Sequence, residues 1–192
     1  MVAKKEGTRR AGRIRAVAMA LALLGPVCLG AADPAVKDLT LAFKGRDLVV
    51  SLAVSGAFDP PEIKELVNST RPFDLTFTVD VIKRRAAWAD KIERRSMVVH
   101  TVRYDNLARQ YVLETTLNGQ KTDKRRVATW EEMEAYMARV TDLTFPGVAE
   151  LNLRSGEYAV RTRVHVQTQF LVVIFPYEVQ TPWVTRALAP PP

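Results

Sequence analysis

The sequence predicts a mainly β protein: a single antiparallel β-sandwich or strongly curved sheet with two short helices. Three observations support this fold class. Most of the chain after residue 32 alternates apolar and polar residues with period two, as strands with one buried face do. Turn residues separate the alternating runs, and only two segments carry helix-start signals. The length beyond residue 32 is that of one domain, and the strand topology within the class stays open.

The alternating runs predict seven or eight strands. The clearest run covers residues 73–81, where five apolar residues beginning at Phe73 alternate with aspartate and threonine. The other runs lie at 39–43, 48–54, 92–104, 111–113 and 158–166. Lys44-Gly45-Arg46 separates the first two runs and predicts a hairpin turn.

Two segments predict short helices. Residues 59–62 (Asp-Pro-Pro-Glu) supply a candidate N-cap, a proline at the first helical position and an acid, so a helix is expected over about residues 60–67. Residues 129–132 (Thr-Trp-Glu-Glu) form a capping box before a second helix. Its expected apolar stripe is Trp130, Met133, Met137 and Val140, with Arg139 in the last turn.

Residues 1–32 have the layout of a secretory signal peptide. A basic head precedes an apolar run at 16–29, and the small residues Gly30 and Ala32 precede Asp33. The run is shorter than the roughly 20 apolar residues that a transmembrane helix needs. We therefore expect cleavage before Asp33 and a periplasmic protein, with an uncleaved segment or a lipid anchor on Cys28 as the alternative.

Removing this segment changes the composition of the remaining chain. Residues 1–32 hold six of the 28 basic residues and one of the 21 acidic residues, so the net charge falls from +7 to +2. The main argument for a nucleic-acid partner disappears with that charge. Cys28 is the only cysteine, so residues 33–192 contain neither a disulfide nor a thiolate nucleophile. We expect one β-rich domain over 33–188 and a disordered, proline-rich tail at 189–192.

No motif indicates catalysis. The two histidines, His100 and His165, have no metal-ligand spacing, so surface or structural roles are expected for both. Asp74 and Asp80 share a strand face but lie about 20 Å apart in an extended strand, too far to act on one bond. The sequence also lacks a nucleophile elbow, a glycine-rich phosphate loop and an HExxH helix. It therefore predicts a non-catalytic protein without a cofactor or a metal.

Positive charge is concentrated in residues 83–126, which carry twelve basic and five acidic residues. If the neighbouring strands form a meander, residues 83–95 and 121–126 return to the same end of the sheet. This predicts a basic rim: Lys83, Arg84, Arg85, Trp88, Arg94, Arg95, Lys124, Arg125 and Arg126. The rim is expected to bind an envelope protein or an anionic membrane surface. The alternative is a solvated rim that only prevents strand edges from aggregating. The oligomeric state stays open.

The run 170–175 (Phe-Leu-Val-Val-Ile-Phe) has no polar face. It predicts either a strand buried on both sides or a segment that meets another apolar surface. The second possibility suggests an alternative function, the carriage of an apolar ligand between the sheets. That site would be lined by Phe73, Phe77, Phe170 and Phe175.

Several aromatic and turn motifs carry a family resemblance. They are residues 88–90 (Trp-Ala-Asp), 102–107 (Val-Arg-Tyr-Asp-Asn-Leu), Tyr111, Phe175, Tyr177 and Trp183. Together they resemble an uncharacterised family of exported proteobacterial proteins, the domain of unknown function 4390. The resemblance implies a periplasmic location and no particular activity, and relatives encoded beside a membrane sensor kinase imply an accessory role in sensing. Residues 68–72 (Asn-Ser-Thr-Arg-Pro) stand where the resemblance leads us to expect a glycine.

Overall fold

The computed structural model describes residues 33–189 except 152, 154–156 and 169–177, all within one compact unit that spans residues 31–192. The segment 1–32 with Cys28, the tail 190–192, Phe170 and Phe175 lie outside the described residues. The described chain is mainly β, with two helices and two antiparallel sheets that do not close into a barrel. The fold class is therefore the sandwich-like one that the alternation predicts.

The smaller sheet has three strands in the order β1-β2-β7. They are β1 (Ala35–Lys44), β2 (Asp47–Ser55) and β7 (Arg139–Phe145). The larger sheet has the order β10-β8-β3-β4-β5-β6, and β9 also pairs with β8. Its strands are β3 (Phe73–Lys83), β4 (Lys91–Asp105), β5 (Gln110–Leu117), β6 (Gln120–Val127), β8 (Tyr158–Thr168), β9 (Glu178–Gln180) and β10 (Val184–Ala187).

Strand β3 is the centre of the larger sheet. It pairs along its whole length with β4 on one side and β8 on the other. Its apolar residues, Phe73, Leu75, Phe77, Val79 and Val81, are fully buried and join side chains of the smaller sheet in one core. The period-two pattern therefore identifies the inner face of this strand correctly.

Four described strands, β6, β7, β9 and β10, lie outside the predicted runs. Strands β9 and β10 have only three and four residues, and neither β6 nor β7 presents a clean alternation. Strand β6 is polar almost throughout, and most of its side chains are exposed at the edge of the sheet. Strand β7 begins two residues after the second helix, so Arg139 and Val140 belong to this strand. Their assignment to the helix was wrong, because that helix already ends at Met137.

The two helices form near the predicted positions. α1 spans Pro61–Asn68 and α2 spans Trp130–Met137. The capping box of α2 is confirmed: the Thr129 hydroxyl accepts from the Glu132 backbone N–H, and the Glu132 carboxylate accepts from the Thr129 N–H. The cap expected at Asp59 was wrong, since Pro60 is the N-cap of α1 and no side chain caps it. No helix in the described ranges is long and apolar enough to span a membrane.

Thr70 follows α1 in the segment where a glycine was expected, and its backbone φ is 67°. A β-branched side chain is strained in this left-handed conformation, which glycine adopts at no steric cost. We expect Thr70→Gly to raise the free energy of unfolding by about 1 kcal/mol, an increase of about 2–4 °C in Tm. The matched control Thr185→Gly, in the regular backbone of β10, should lower Tm in the same thermal unfolding experiment. A Tm for Thr70→Gly below that of the wild type would contradict the claim that the backbone at Thr70 is strained.

Candidate functional site

The loop between β3 and β4 carries an exposed tryptophan in basic surroundings. Lys83 pairs with Lys91 at the end of the ladder, and Trp88 lies in the loop between them with 79% of its surface exposed. The backbone N–H of Arg84 donates to the Glu157 carbonyl at 2.7 Å, which holds the start of the loop against the segment before β8. We call this surface the hairpin tip: Lys83, Arg84, Arg85, Trp88, Lys91 and Arg94.

Only part of the positive charge of the hairpin tip is neutralised. Lys91 pairs with Glu93 at 3.0 Å, and Lys83 lies 3.9 Å from Glu157. The exposed side chains of Arg84 and Arg85 make no ion pair with any described residue. The guanidinium groups of these two consecutive residues, in the same loop as Trp88, therefore stay available for an anionic partner.

The structure does not bring the whole predicted rim together. Strand β5 ends at Leu117, which pairs with Val98 halfway along β4, so β6 turns back towards the far end of the sheet. Lys124 aligns through β5 with Thr101, ten residues along β4 from Lys91. That separation is about 33 Å. The expectation of one rim was therefore wrong: Lys124, Arg125 and Arg126 lie far from the hairpin tip.

Arg95 has a different environment from the rest of the predicted rim. It makes two hydrogen bonds to Asp80, at 2.7 and 2.9 Å, and Arg161 on β8 binds the same carboxylate at 3.0 Å. The Asp80 side chain is fully buried beneath the two guanidinium groups. Burial raises the pKa of Asp80, but the hydrogen bonds from Arg95 and Arg161 outweigh it, so the pKa lies below its usual 3.8. This cluster stabilises the centre of the sheet.

A cleft of about 500 Å³ opens between the inner face of the larger sheet, α2 and β7. The larger sheet contributes Val98, His100, Thr115, Leu117, Thr122, Asp123 and Arg125. The other side is formed by α2 and β7, with Ala135, Tyr136 and the six consecutive residues 139–144. Neither Phe73 nor Phe77, which were expected to line a ligand site, belongs to this cleft.

His100 and Tyr136 form a stacked pair in the wall of the cleft, with ring centroids 5.2 Å apart. His100 Nδ1 lies 3.1 Å from the Met137 carbonyl oxygen. Because a carbonyl can only accept, Nδ1 carries the proton and Nε2 is the acceptor of the neutral ring. Burial lowers the pKa of His100 below its usual 6.5, so the ring is uncharged at neutral pH.

Tyr136 joins His100 to an ion pair on β6. Its hydroxyl is hydrogen-bonded to the Thr115 hydroxyl and donates to Asp123 at 3.1 Å, while Arg125 lies over its ring at 4.4 Å. Arg125 also binds Asp123 at 2.5 and 2.9 Å, and this interaction holds the pKa of Asp123 below its usual value. The sequence did not predict this arrangement, because Tyr136 lies on α2 while Asp123 and Arg125 lie on β6, a strand that was not predicted.

The turn after β4 uses the chemistry that its motif indicates. The carboxylate of Asp105 accepts hydrogen bonds from the backbone N–H groups of Leu107 and Ala108, both at 3.1 Å. Trp183 stacks on Arg161 and Arg163, with each guanidinium about 4.5 Å from the ring centroid, and thereby packs the segment before β10 against β8. Both motifs have a structural role here.

A family model described as a domain of unknown function, DUF4390, matches residues 31–181. The chain belongs to the DUF4390 family. The DUF4390 match covers β1 to β9 and includes the hairpin tip and the cleft. No curated protein and no solved structure matches the chain.

Proposed function

We propose that this DUF4390 protein is a non-catalytic binding domain of the cell envelope that contacts an anionic membrane surface through the hairpin tip. The exposure of Trp88 carries the proposal. A large aromatic side chain is usually buried, and tryptophan beside basic residues is typical of surfaces that meet the headgroup region of a bilayer. The periplasmic location belongs to the same proposal and is supported by the basic and apolar pattern of residues 1–32.

The arrangement of charge favours a membrane over a solvated rim. Arg84 and Arg85 precede the exposed Trp88 in the same loop and make no ion pair within the described chain. A rim that served only to protect strand edges would need no exposed tryptophan at its tip. Each arginine near an anionic surface contributes about 1 kcal/mol to binding, and Trp88 adds apolar contact at the interface.

The carrier alternative has less support. Phe73 and Phe77 are fully buried and make tilted ring contacts, with Phe58 at 5.5 Å and with His100 at 5.3 Å. Rings held this way supply the packing of the core. The membrane-binding proposal therefore has the stronger geometric basis.

Charge reversal at the hairpin tip tests the proposal. In a sedimentation assay with phosphatidylglycerol vesicles, Arg84→Glu/Arg85→Glu should bind at least thirtyfold more weakly than the wild type. The loss of two favourable contacts at about 1 kcal/mol each already accounts for that factor. Thermal unfolding should change little, because both side chains are exposed.

Arg103→Glu/Arg109→Glu is the matched control. It reverses two exposed arginines at the opposite end of the larger sheet, so the net charge changes equally while the hairpin tip is preserved. We expect this control to keep most of its vesicle binding. If the two double variants lost vesicle binding equally, only the net charge would matter for binding. That result would contradict a specific role for the hairpin tip.

A further inference from the structure

The cleft beside β7 has the construction of a ligand site. Strand β7 pairs with β2 on one side, and no strand of the described chain pairs with its other side. Side chains of a strand alternate in direction, so a pocket that faces the strand's edge can touch consecutive residues. Residues 139–144 all line the cleft, which shows that it runs along this open edge.

Both walls of the cleft carry apolar side chains among their polar ones. Val98 and Leu117 approach from the larger sheet, and Val140 and Leu143 approach from β7. The volume of about 500 Å³ lies in the range that accommodates small organic ligands. An apolar body of modest size would therefore find contacts on two walls.

Among the described residues that line the cleft, one cation has no ion-pair partner. Asp123 is held by Arg125 and the Tyr136 hydroxyl, and Asp142 lies 3.4 Å from Lys44. Arg139 is exposed and makes no ion pair with the described residues. An anionic group on a ligand could pair with this guanidinium without displacing a partner. The two aspartates would repel a dianionic head group more strongly than a monoanion.

We propose that the cleft binds a monocarboxylate with a short apolar chain, the carboxylate on Arg139 and the chain against Val98, Leu117 and Leu143. This site is separate from the hairpin tip, so it does not rest on the proposed membrane binding. His100 and Tyr136 shape the wall of the cleft through their stacked rings. The wall is built by hydrogen bonds already present, so little reorganisation is needed on binding.

Octanoate is the probe for this site, with octanol as the neutral compound of equal chain length. We expect a titration of ¹⁵N-labelled residues 33–192 with octanoate to shift the amide resonances of residues 139–144 and 122–125 saturably. Octanol should bind at least tenfold more weakly, because it lacks the charge that pairs with Arg139. Equal Kd values for the two probes, no saturable shifts, or shifts spread over the whole domain would overturn the proposal.

Arg139→Gln removes the cation and preserves most of the side-chain length. We expect it to weaken octanoate binding at least tenfold and to leave octanol binding unchanged. Arg103→Gln is the control, since Arg103 is an exposed arginine that does not line the cleft. The amide spectrum of each variant reports whether it is folded. A folded Arg139→Gln protein that binds octanoate as tightly as the wild type would contradict the proposal that Arg139 pairs with the carboxylate.

Discussion

Asp80→Asn is expected to lower the free energy of unfolding by about 3 kcal/mol. The Asp80 side chain has no exposed surface and accepts hydrogen bonds from both Arg95 and Arg161. Removing one partner of a buried ion pair typically costs about 3–5 kcal/mol. We expect the lower end because the two arginine side chains remain 47% and 24% exposed and can be hydrated. Chemical denaturation at pH 7 measures the effect.

Asp142→Asn is the matched control for this prediction. Asp142 pairs with Lys44 at 3.4 Å, but both side chains are mostly exposed, so its loss should change stability by less than about 1 kcal/mol. Asparagine also tolerates the positive φ of this position. If the two variants were equally stable, the buried cluster around Asp80 would contribute no more than a surface ion pair.

The pKa of Asp80 predicts that the stability of the protein depends on pH. The folded-state pKa of Asp80 is depressed below its usual 3.8, so the unfolded chain binds a proton at a higher pH than the native protein does. Its stabilising contribution is fully present above the unfolded pKa and is lost as the pH falls through the folded pKa. The difference in unfolding free energy between wild type and Asp80→Asn should therefore narrow when the pH is lowered from 7 to values below the unfolded pKa of 3.8. A constant difference over that range would contradict the depressed pKa.

Phe77→Ala is expected to lower the free energy of unfolding by about 3–5 kcal/mol. Phe77 is fully buried at the centre of β3, and truncation would remove its contacts and leave a cavity. The carrier alternative gives the opposite expectation, because a side chain that lines a ligand cavity can be truncated at little cost. Equilibrium denaturation separates these two outcomes.

Phe43→Ala is a suitable control for Phe77. Phe43 is a partly buried phenylalanine on β1 that packs at the margin of the core. Its truncation should cost distinctly less than that of Phe77, because less apolar area returns to water. A loss below about 1 kcal/mol in Phe77→Ala would indicate open space beside the ring and revive the carrier alternative.

The inner strands could be predicted from the sequence because burial on one face imposes alternation. Residues 73–81 illustrate this most clearly, since every second side chain enters the core. The edge strand β6 could not be predicted this way. Its side chains remain mostly exposed, so no apolar period marks it.

The prediction of a single basic rim was wrong because local alternation does not give the lengths of paired strands. The number of turns suggested that residues 121–126 return to the hairpin tip, but β5 pairs with only half of β4. Strand lengths in a meander depend on tertiary pairing, which local alternation does not report. The cleft was missed for a related reason: His100 and Tyr136 meet only after α2 packs against the larger sheet.

The central claim is that the hairpin tip binds an anionic membrane surface. Sedimentation of residues 33–192 with phosphatidylglycerol and with phosphatidylcholine vesicles over a salt series tests it most directly. We predict binding to the anionic vesicles alone, decreasing as salt screens Arg84 and Arg85. Absence of binding at every salt concentration, or equal binding to both vesicle types, would contradict the claim and direct the search for a partner towards an envelope protein.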